Sequence, residues 1–236
     1  MPKSITDKVR CIHRHTIDEH PNCFGEGLVI DTRPEEEQKA LPWFKQPGLR
    51  IGYLDIESDG LRVDFATMLS WAIKEKNGPV VTDAVTKKEL FKGTKDLRII
   101  KSCINEMRKY DVIVTYYGTS FDLTFLRAKA LHYNIDNFPQ YVFDGKKMVP
   151  ELIHFDLYYT CKSKLASLSS KRLENVCYYL GIVGKTPLDK AVWVEAKYGD
   201  KEALKQVVEH NIGDVVILEE LHNRLTAFGA WNKKGV

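Results

Sequence analysis

The sequence predicts an α/β domain with a mixed five-stranded sheet flanked by helices. Three observations carry this. Strand-like apolar runs and helical stretches follow one another as β-β-β-α-β-α, then a fifth strand and helices only. The run Val112-Ile-Val114 is apolar without alternation, the pattern of a central strand buried on both faces. From about residue 201 to 226, Leu204, Val207, Val208, Ile212, Val215, Leu218 and Leu221 recur at helical spacing and give one broad apolar face.

The elements follow in order. Residues 50–57 form the first strand, ending in the turn signal Ser58-Asp-Gly60. Side chains alternate along a strand, so Asp55 and Glu57 share one face and Ile56 takes the other. Residues 62–74 read as a second, largely buried strand. Gly78-Pro79 turns the chain into a short third strand, Val80-Val-Thr82, at or near an edge. Residues 96–109 have helical spacing, with Leu97, Ile100, Cys103, Ile104 and Met107 on one face. The fourth strand, 111–117, turns through Gly118-Thr-Ser120 into a helix over 121–132, with Asp122 in its first turn. That junction, at the carboxyl end of a strand, is where open α/β sheets carry their sites. Residues 134–150 read as a loop and 152–158 as the fifth strand. Lys162, Lys164, Lys171 and Arg172 follow in a Ser-rich stretch. A helix over 171–181 stops at Gly181. In the last helix His210 and Asp214, four apart, project from one face. Gly213 between them costs about 1 kcal/mol relative to alanine, which points to close approach of something at that position.

Composition sets the class. A chain of 236 residues, 44% hydrophobic and 28% charged, suits one globular domain, here 49–226, with an N-terminal segment 1–48 and a tail 227–236. No apolar run approaches the roughly 20 residues that span a bilayer, and the N-terminus is not a secretory leader, so a cytoplasmic location is expected. The net charge of +3 permits a polyanionic partner without demanding one. Five scattered cysteines, an odd number, argue against a disulfide framework. Two of them fall in the cluster Cys11, His13, His15, His20 and Cys23. Thiolate and imidazole are the ligands zinc prefers, and four of these five would complete a structural site, although the spacing matches no paired C-x2-C knuckle.

Two carboxylates side by side at a strand end repel each other, and a divalent cation with hard oxygen ligands is the simplest compensation. The element order is that of the ribonuclease-H-like fold, and it allows Asp55, Glu57, Asp122 and Asp214 to meet in one site. Asp55-Ile-Glu57, Tyr116-Tyr-Gly-Thr-Ser-Phe-Asp122 and His210-Asn-Ile-Gly-Asp214-Val resemble, in order and interval, the three motifs of the DEDD superfamily of two-metal nucleases, the DnaQ-like exonucleases. His154-Phe-Asp156-Leu and Arg172-Leu-Glu-Asn175 make the YprB-type branch the nearest likeness, over roughly residues 49–222. Three departures stand out. Tyr117 replaces the asparagine that often precedes the motif glycine, and Thr124 stands where proline is common. His210, four before the last aspartate, occupies the slot of the tyrosine class.

The resemblance implies a metal-dependent 3′–5′ exonuclease. Asp55, Glu57, Asp122 and Asp214 would hold two Mg²⁺ or Mn²⁺ ions, and His210 would position or deprotonate the attacking water. The partner would be nucleic acid, a single strand or the 3′ end of DNA or RNA. Leu61, Tyr116, Tyr117 and Phe121 are candidates for stacking on its bases, or for core packing. An endonuclease using the same acids, a non-catalytic nucleic-acid-binding module and a zinc-organised adaptor are the alternatives.

Overall fold

The structure is a computed structural model that describes residues 49–143, 148–184 and 187–226. The Cys11–Cys23 cluster and the tail 227–236 lie outside the described residues. Strands β1 (Ile51–Ser58), β2 (Met68–Glu75) and β3 (Val80–Ala84) form an antiparallel meander. Strand β4 (Val112–Thr115) pairs parallel with β1. A separate hairpin, β5 (Tyr141–Phe143) and β6 (Met148–Pro150), precedes β7 (Ile153–Asp156), which pairs parallel with β4. The main sheet therefore runs β3-β2-β1-β4-β7, five strands with mixed directions and β3 at one edge. This is the ribonuclease-H-like α/β architecture that the element order predicts.

The helices are α1 (Lys87–Leu90), α2 (Leu97–Met107), α3 (Asp122–His132), α4 (Leu157–Lys164), α5 (Leu173–Leu180), α6 (Lys190–Lys197) and α7 (Lys201–Thr226). They divide the core in two. Leu54 and Ile56 of β1 join the cluster of Ile100, Cys103 and Ile104 of α2 with Leu123 and Leu126 of α3. Ile51 and Tyr53 join the cluster of Val215, Leu218 and Leu221 of α7 with Cys161 of α4 and Val176 of α5. By the period-two rule Asp55 and Glu57 continue the Tyr53 face, so β1 aims them toward α7.

Several elements depart from the sequence reading. The second strand starts at Met68, not at residue 62. Asp59 binds the chain on both sides: its N–H donates to Thr67 O (3.1 Å) and its Oδ1 accepts Thr67 N–H (2.7 Å). Residues 62–66 are thereby folded into a turn, in which Ala66 N–H donates to Arg62 O (2.8 Å). The stretch read as a loop over 134–150 contains the β5–β6 hairpin, whose strands of three residues are too short for a period to show. The fifth strand ends at Asp156, because that carboxylate caps α4 by accepting Tyr158 N–H (3.0 Å). The polar stretch after it is thus helical. Helix α6, unread in the sequence, starts at Asp189, which accepts Ala191 N–H (2.9 Å).

Buried polar groups knit the layers. Asp96, fully buried at the start of α2, accepts Met68 N–H (2.8 Å), the Tyr133 hydroxyl (2.5 Å) and the Lys129 ammonium (3.0 Å). Lys129 also donates to Ala66 O (2.7 Å), fastening α3 to the segment that leads into β2. Among the described residues no helix is long and apolar enough to cross a membrane.

On the α7 side, His222 is buried against Tyr53, whose hydroxyl meets its Nδ1 at 2.9 Å. Burial, reinforced by the Lys76 charge, lowers the imidazole pKa to about 4. An unfolded histidine takes up its proton near pH 6.5, whereas this folded one resists until about 4. The unfolded state therefore binds more protons between these values, and stability falls as pH drops through that window. A His222→Gln variant is expected to flatten this slope, read as denaturant midpoints from pH 7 to pH 4. An unchanged slope would assign the acid sensitivity to other groups.

Candidate active site

The site forms where β1 passes under α7 beside the start of α3. On β1, Leu54 and Ile56 are anchored in one core, which fixes the opposite face for Asp55 and Glu57. On α7, Asn211, Asp214, Val215 and Leu218 share the inward face, and the apolar members draw Asn211 and Asp214 into burial with them. Oxygens of Glu57 and Asp214 and a ring nitrogen of His210 all lie within 4.8 Å of one another. The His210 Nε2 sits 3.7 Å from Glu57 Oε1 and 3.8 Å from Asp214 Oδ2. Its ring stands edge-on to Trp193 of α6, with centroids 6.1 Å apart.

Asp122 enters from the first turn of α3. It is almost wholly buried, and its Oδ1 accepts the N–H of Ile56 (3.0 Å), between the two β1 acids in sequence. Burial pushes its carboxyl up to about 7. The Ile56 N–H pulls the other way, and the charges of Asp156 and Asp214 add to the rise. Asp55 is held by Asn211, whose amide donates to Asp55 Oδ2 (2.7 Å) while its Oδ1 accepts from Ser70 Oγ (3.1 Å). Ser70 belongs to β2, so three elements fix the direction of Asp55. The carboxylate donors suit Mg²⁺ or Mn²⁺, and the crowded, buried Asp122 fits a place that a cation would relieve.

The turn between β4 and α3 is built under constraint. A Cβ at Gly118 would lie 2.3 Å from Thr115 Oγ1, so only glycine lets the chain pass there. Tyr117 just before it adopts a left-handed conformation, φ 67°. Asparagine takes that conformation far more easily than tyrosine, which explains why asparagine suits the position. Asp156 holds the turn in place: its carboxylate accepts N–H groups of Tyr117 (2.8 Å), Thr119 (2.9 Å) and Tyr158 (3.0 Å). Thus Asp156 satisfies backbone donors and also sends its charge toward Asp122.

The four apolar candidates divide. Leu61 and Tyr117 are exposed at 86% and 46%, whereas Phe121 and Tyr116 pack against the two cores. The Tyr116 hydroxyl donates to Lys171 O (2.5 Å), and Tyr117 stands edge-on to Tyr158 at 4.8 Å. Sequence reasoning missed Asn211, Ser70 and Trp193. For Asn211 a signal existed, since it lies three before Asp214 and so shares its face. No period marks the other two.

Comparison with known proteins follows this geometry. A family model described as the RNase_H superfamily matches residues 52–226. The chain belongs to the ribonuclease H superfamily. Among curated proteins, this superfamily member is 35% identical over 105 residues to a DNA polymerase of Methanocaldococcus jannaschii, a match covering 39% of this chain and 6% of the polymerase. It is 28% identical over 187 residues to a DNA polymerase of Thermococcus sp., covering 74% of this chain and 10% of that protein. The chain thus spans a tenth or less of the length of these relatives. Among solved structures, the family B DNA polymerase from the hyperthermophilic archaeon Pyrobaculum calidifontis matches 77% of this chain and 25% of its own, with a TM-score of 0.59 and 22% identity, a likeness of fold. The family match sets the superfamily, and the solved structure adds a likeness of fold.

If the Asn211 amide sets the direction of Asp55, Asn211→Ala should weaken Mn²⁺ binding about 10- to 100-fold. Calorimetric titration of the full chain measures this. Wild-type affinity in the variant would show that Asp55 is oriented by other groups.

Proposed function

We propose that this chain is a divalent-metal-dependent nuclease that hydrolyses phosphodiester bonds of single-stranded nucleic acid from the 3′ end. The observation that carries the reading is the convergence of Glu57, His210 and Asp214 within 4.8 Å, beside buried Asp122 and an Asp55 held by Asn211. Glu57 and Asp214 set around one imidazole, with Asp122 and Asp55 held by donors from β1 and α7, are more than the fold itself needs. They raise its electrostatic cost, and metal-assisted phosphate chemistry explains them.

Asp55, Glu57, Asp122 and Asp214 would hold two ions, Mg²⁺ or Mn²⁺. When bound, these would supply Lewis acidity, lowering the pKa of water and neutralising charge on the leaving oxygen. The chain's own groups do the rest. His210 Nε2, poised between two carboxylates, orients the attacking water and takes its proton, a role an imidazole fills near neutral pH. The water oxygen bonds to phosphorus as the bond from phosphorus to the 3′ oxygen breaks. The 3′ oxygen acquires a proton, leaving a shortened strand with a 3′ hydroxyl and a free nucleoside 5′-monophosphate. Asn211 keeps Asp55 in one orientation throughout. The exposed ring of Tyr117 would stack on an unpaired base, a contact worth roughly 1–3 kcal/mol, and exposed Leu61 would add an apolar contact.

A time course with 5′-labelled single-stranded DNA and RNA, in Mg²⁺ or Mn²⁺, tests this. A ladder shrinking by one nucleotide at a time is expected. Asp55→Ala and Asp214→Ala should each slow it by about 100-fold or more, since each ligand lost forfeits several kcal/mol of charge stabilisation. Discrete internal cuts, lost in both variants, would make it an endonuclease. Absence of cleavage with either metal would sink the reading.

Metal-free carboxylates repel, so Mn²⁺ is also expected to raise the melting temperature of the wild type by several degrees and that of Asp214→Ala by much less. Calorimetric melting with and without Mn²⁺ measures this. A melting curve indifferent to metal would count against the site.

A further inference from the structure

Residues 86–95, Thr-Lys-Lys-Glu-Leu-Phe-Lys-Gly-Thr-Lys, hold four lysines and one acid. Such a run is ordinarily a solvated face and nothing more. Here it is built firmly into the fold. Val85 and Leu90 are buried in the core that contains α2 and α3, and they anchor the segment from beneath. Thr86 and Glu89 form a capping box at the start of α1: Thr86 Oγ1 accepts Glu89 N–H (3.3 Å), and Glu89 Oε2 accepts Thr86 N–H (2.8 Å). The one acid is also answered, since Arg98 Nε meets Glu89 Oε1 at 2.6 Å. Neighbouring acids have other partners too. Arg98 holds Asp83 (2.6 Å), Lys197 holds Asp59 (3.6 Å) and Lys205 faces Glu202 (3.9 Å). Lys87, Lys88, Lys92 and Lys95 are exposed and, among the described residues, meet no carboxylate.

The surface continues toward the candidate site. A Cβ at Gly199 would lie 2.8 Å from the Lys87 Cγ, so the junction between α6 and α7 packs directly on the Lys87 stem. Tyr198, just before it, is 63% exposed. Lys197, before that, reaches Asp59 in the turn after β1, two residues beyond Glu57. Contacts from Asp59 to Lys197, and from Gly199 to Lys87, thus join the end of β1 to the lysines. Phe91 falls between the lysines in sequence and is 69% exposed, although Leu90 beside it is buried. Charge and rings together select the occupant. Clustered ammonium groups suit a polyanion, and exposed rings among them suit unstacked bases. A duplex keeps its bases stacked on one another, and an acidic peptide offers no base faces.

We propose that the face made by α1, the loop to Lys95 and the α6–α7 junction binds single-stranded nucleic acid outside the catalytic cluster, with Lys87, Lys88, Lys92 and Lys95 on phosphates and Phe91 and Tyr198 on bases. It rests on the nuclease reading only for what the binding serves, which is to retain the body of a strand while its end is cut. Binding itself is measured apart from cleavage.

The test uses the full chain and two probes. A fluorescein-labelled single strand of about 20 nucleotides, longer than a usual single-strand site, reads binding by anisotropy in EDTA. The p-nitrophenyl ester of thymidine 5′-monophosphate, a phosphodiester of one nucleotide, reads the cluster alone in Mn²⁺. Changing all four lysines together (Lys87→Gln, Lys88→Gln, Lys92→Gln and Lys95→Gln) removes the charge and keeps most of each stem. This variant is expected to bind the strand about 30-fold more weakly at low salt. Its plot of log affinity against log salt should flatten by about 2–3, given roughly 0.7 per phosphate contact on a single strand. The four arginine replacements should keep both affinity and slope. Phe91→Ala and Tyr198→Ala should each weaken strand binding roughly 5-fold or more and leave binding of a duplex as it was. In every variant the ester should be hydrolysed with the kcat and KM of the wild type. If the wild type hydrolyses the ester and the glutamine variant binds the strand with unchanged affinity and slope, the surface is overturned and the nuclease reading stands. If the wild type hydrolyses neither ester nor strand but binds the strand through these lysines, the nuclease reading falls and the surface stands. A duplex bound as tightly as the single strand, or polyglutamate displacing the strand as readily as an unlabelled strand does, would reduce the face to bare charge attraction and overturn the single-strand assignment.

Discussion

Mutual repulsion among carboxylates is the constraint on which this architecture turns. Asp55 and Glu57 cannot avoid each other, since they stand two apart on one face of β1. Asp214 and Asp122 are brought to the same place by α7 and α3, both by burial of the apolar residues that flank them. In so poorly hydrated a setting charge is expensive, and the chain answers it with directed donors. Asn211 serves Asp55, and the Ile56 N–H serves Asp122. The compensation is incomplete, for Asp122 still holds its proton toward neutrality. The remaining repulsion is what a cation would offset in the proposed metal site.

The parts legible in the sequence were those in which one physical signal was long or emphatic. The apolar run of β1, the uninterrupted Val112-Ile-Val114 and the periodic face of α7 each bury many side chains in a repeating pattern, so pattern and structure coincide. Gly181 ends α5 in a left-handed conformation, as its position implied. Misreadings occurred where local hydrogen bonds overrode apolar pattern. The Asp59–Thr67 pair folds residues 62–66 away from the sheet although their composition suits a strand. Helices α4 and α6 are only eight residues long, and capping by Asp156 and Asp189 defines where they start. Of the site, the acids and His210 stood out because paired charges are rare in apolar surroundings. Asn211 was harder to see because its importance lies in a bond to a residue 156 positions away.

Family membership and chemistry answer different questions here. The match over residues 52–226 establishes the ribonuclease H superfamily, and the archaeal DNA polymerases share this fold within far longer chains. A fold hosts many activities, so the argument for a nuclease rests on the constellation. The local departures are also informative. Tyr117 accepts a left-handed backbone that tyrosine resists, and three N–H groups collected by Asp156 make it tolerable. Strain at one turn and a carboxylate buried nearby are thus two aspects of a single arrangement around Asp122.

The bond between Asn211 and Asp55 also bears on how the molecule comes to exist. Its partners are separated by 156 residues, and α7 closes over β1 only after nearly the whole described chain has been made. Contacts so distant in sequence form late, because the entropy of closing the intervening chain must be met before they contribute anything. The meander β1–β2–β3 and helix α2 have local partners and can gather early, with their acids still bathed in water. The acids of β1 and the inward face of α7 therefore meet late in folding, when the last helix docks on the first strand.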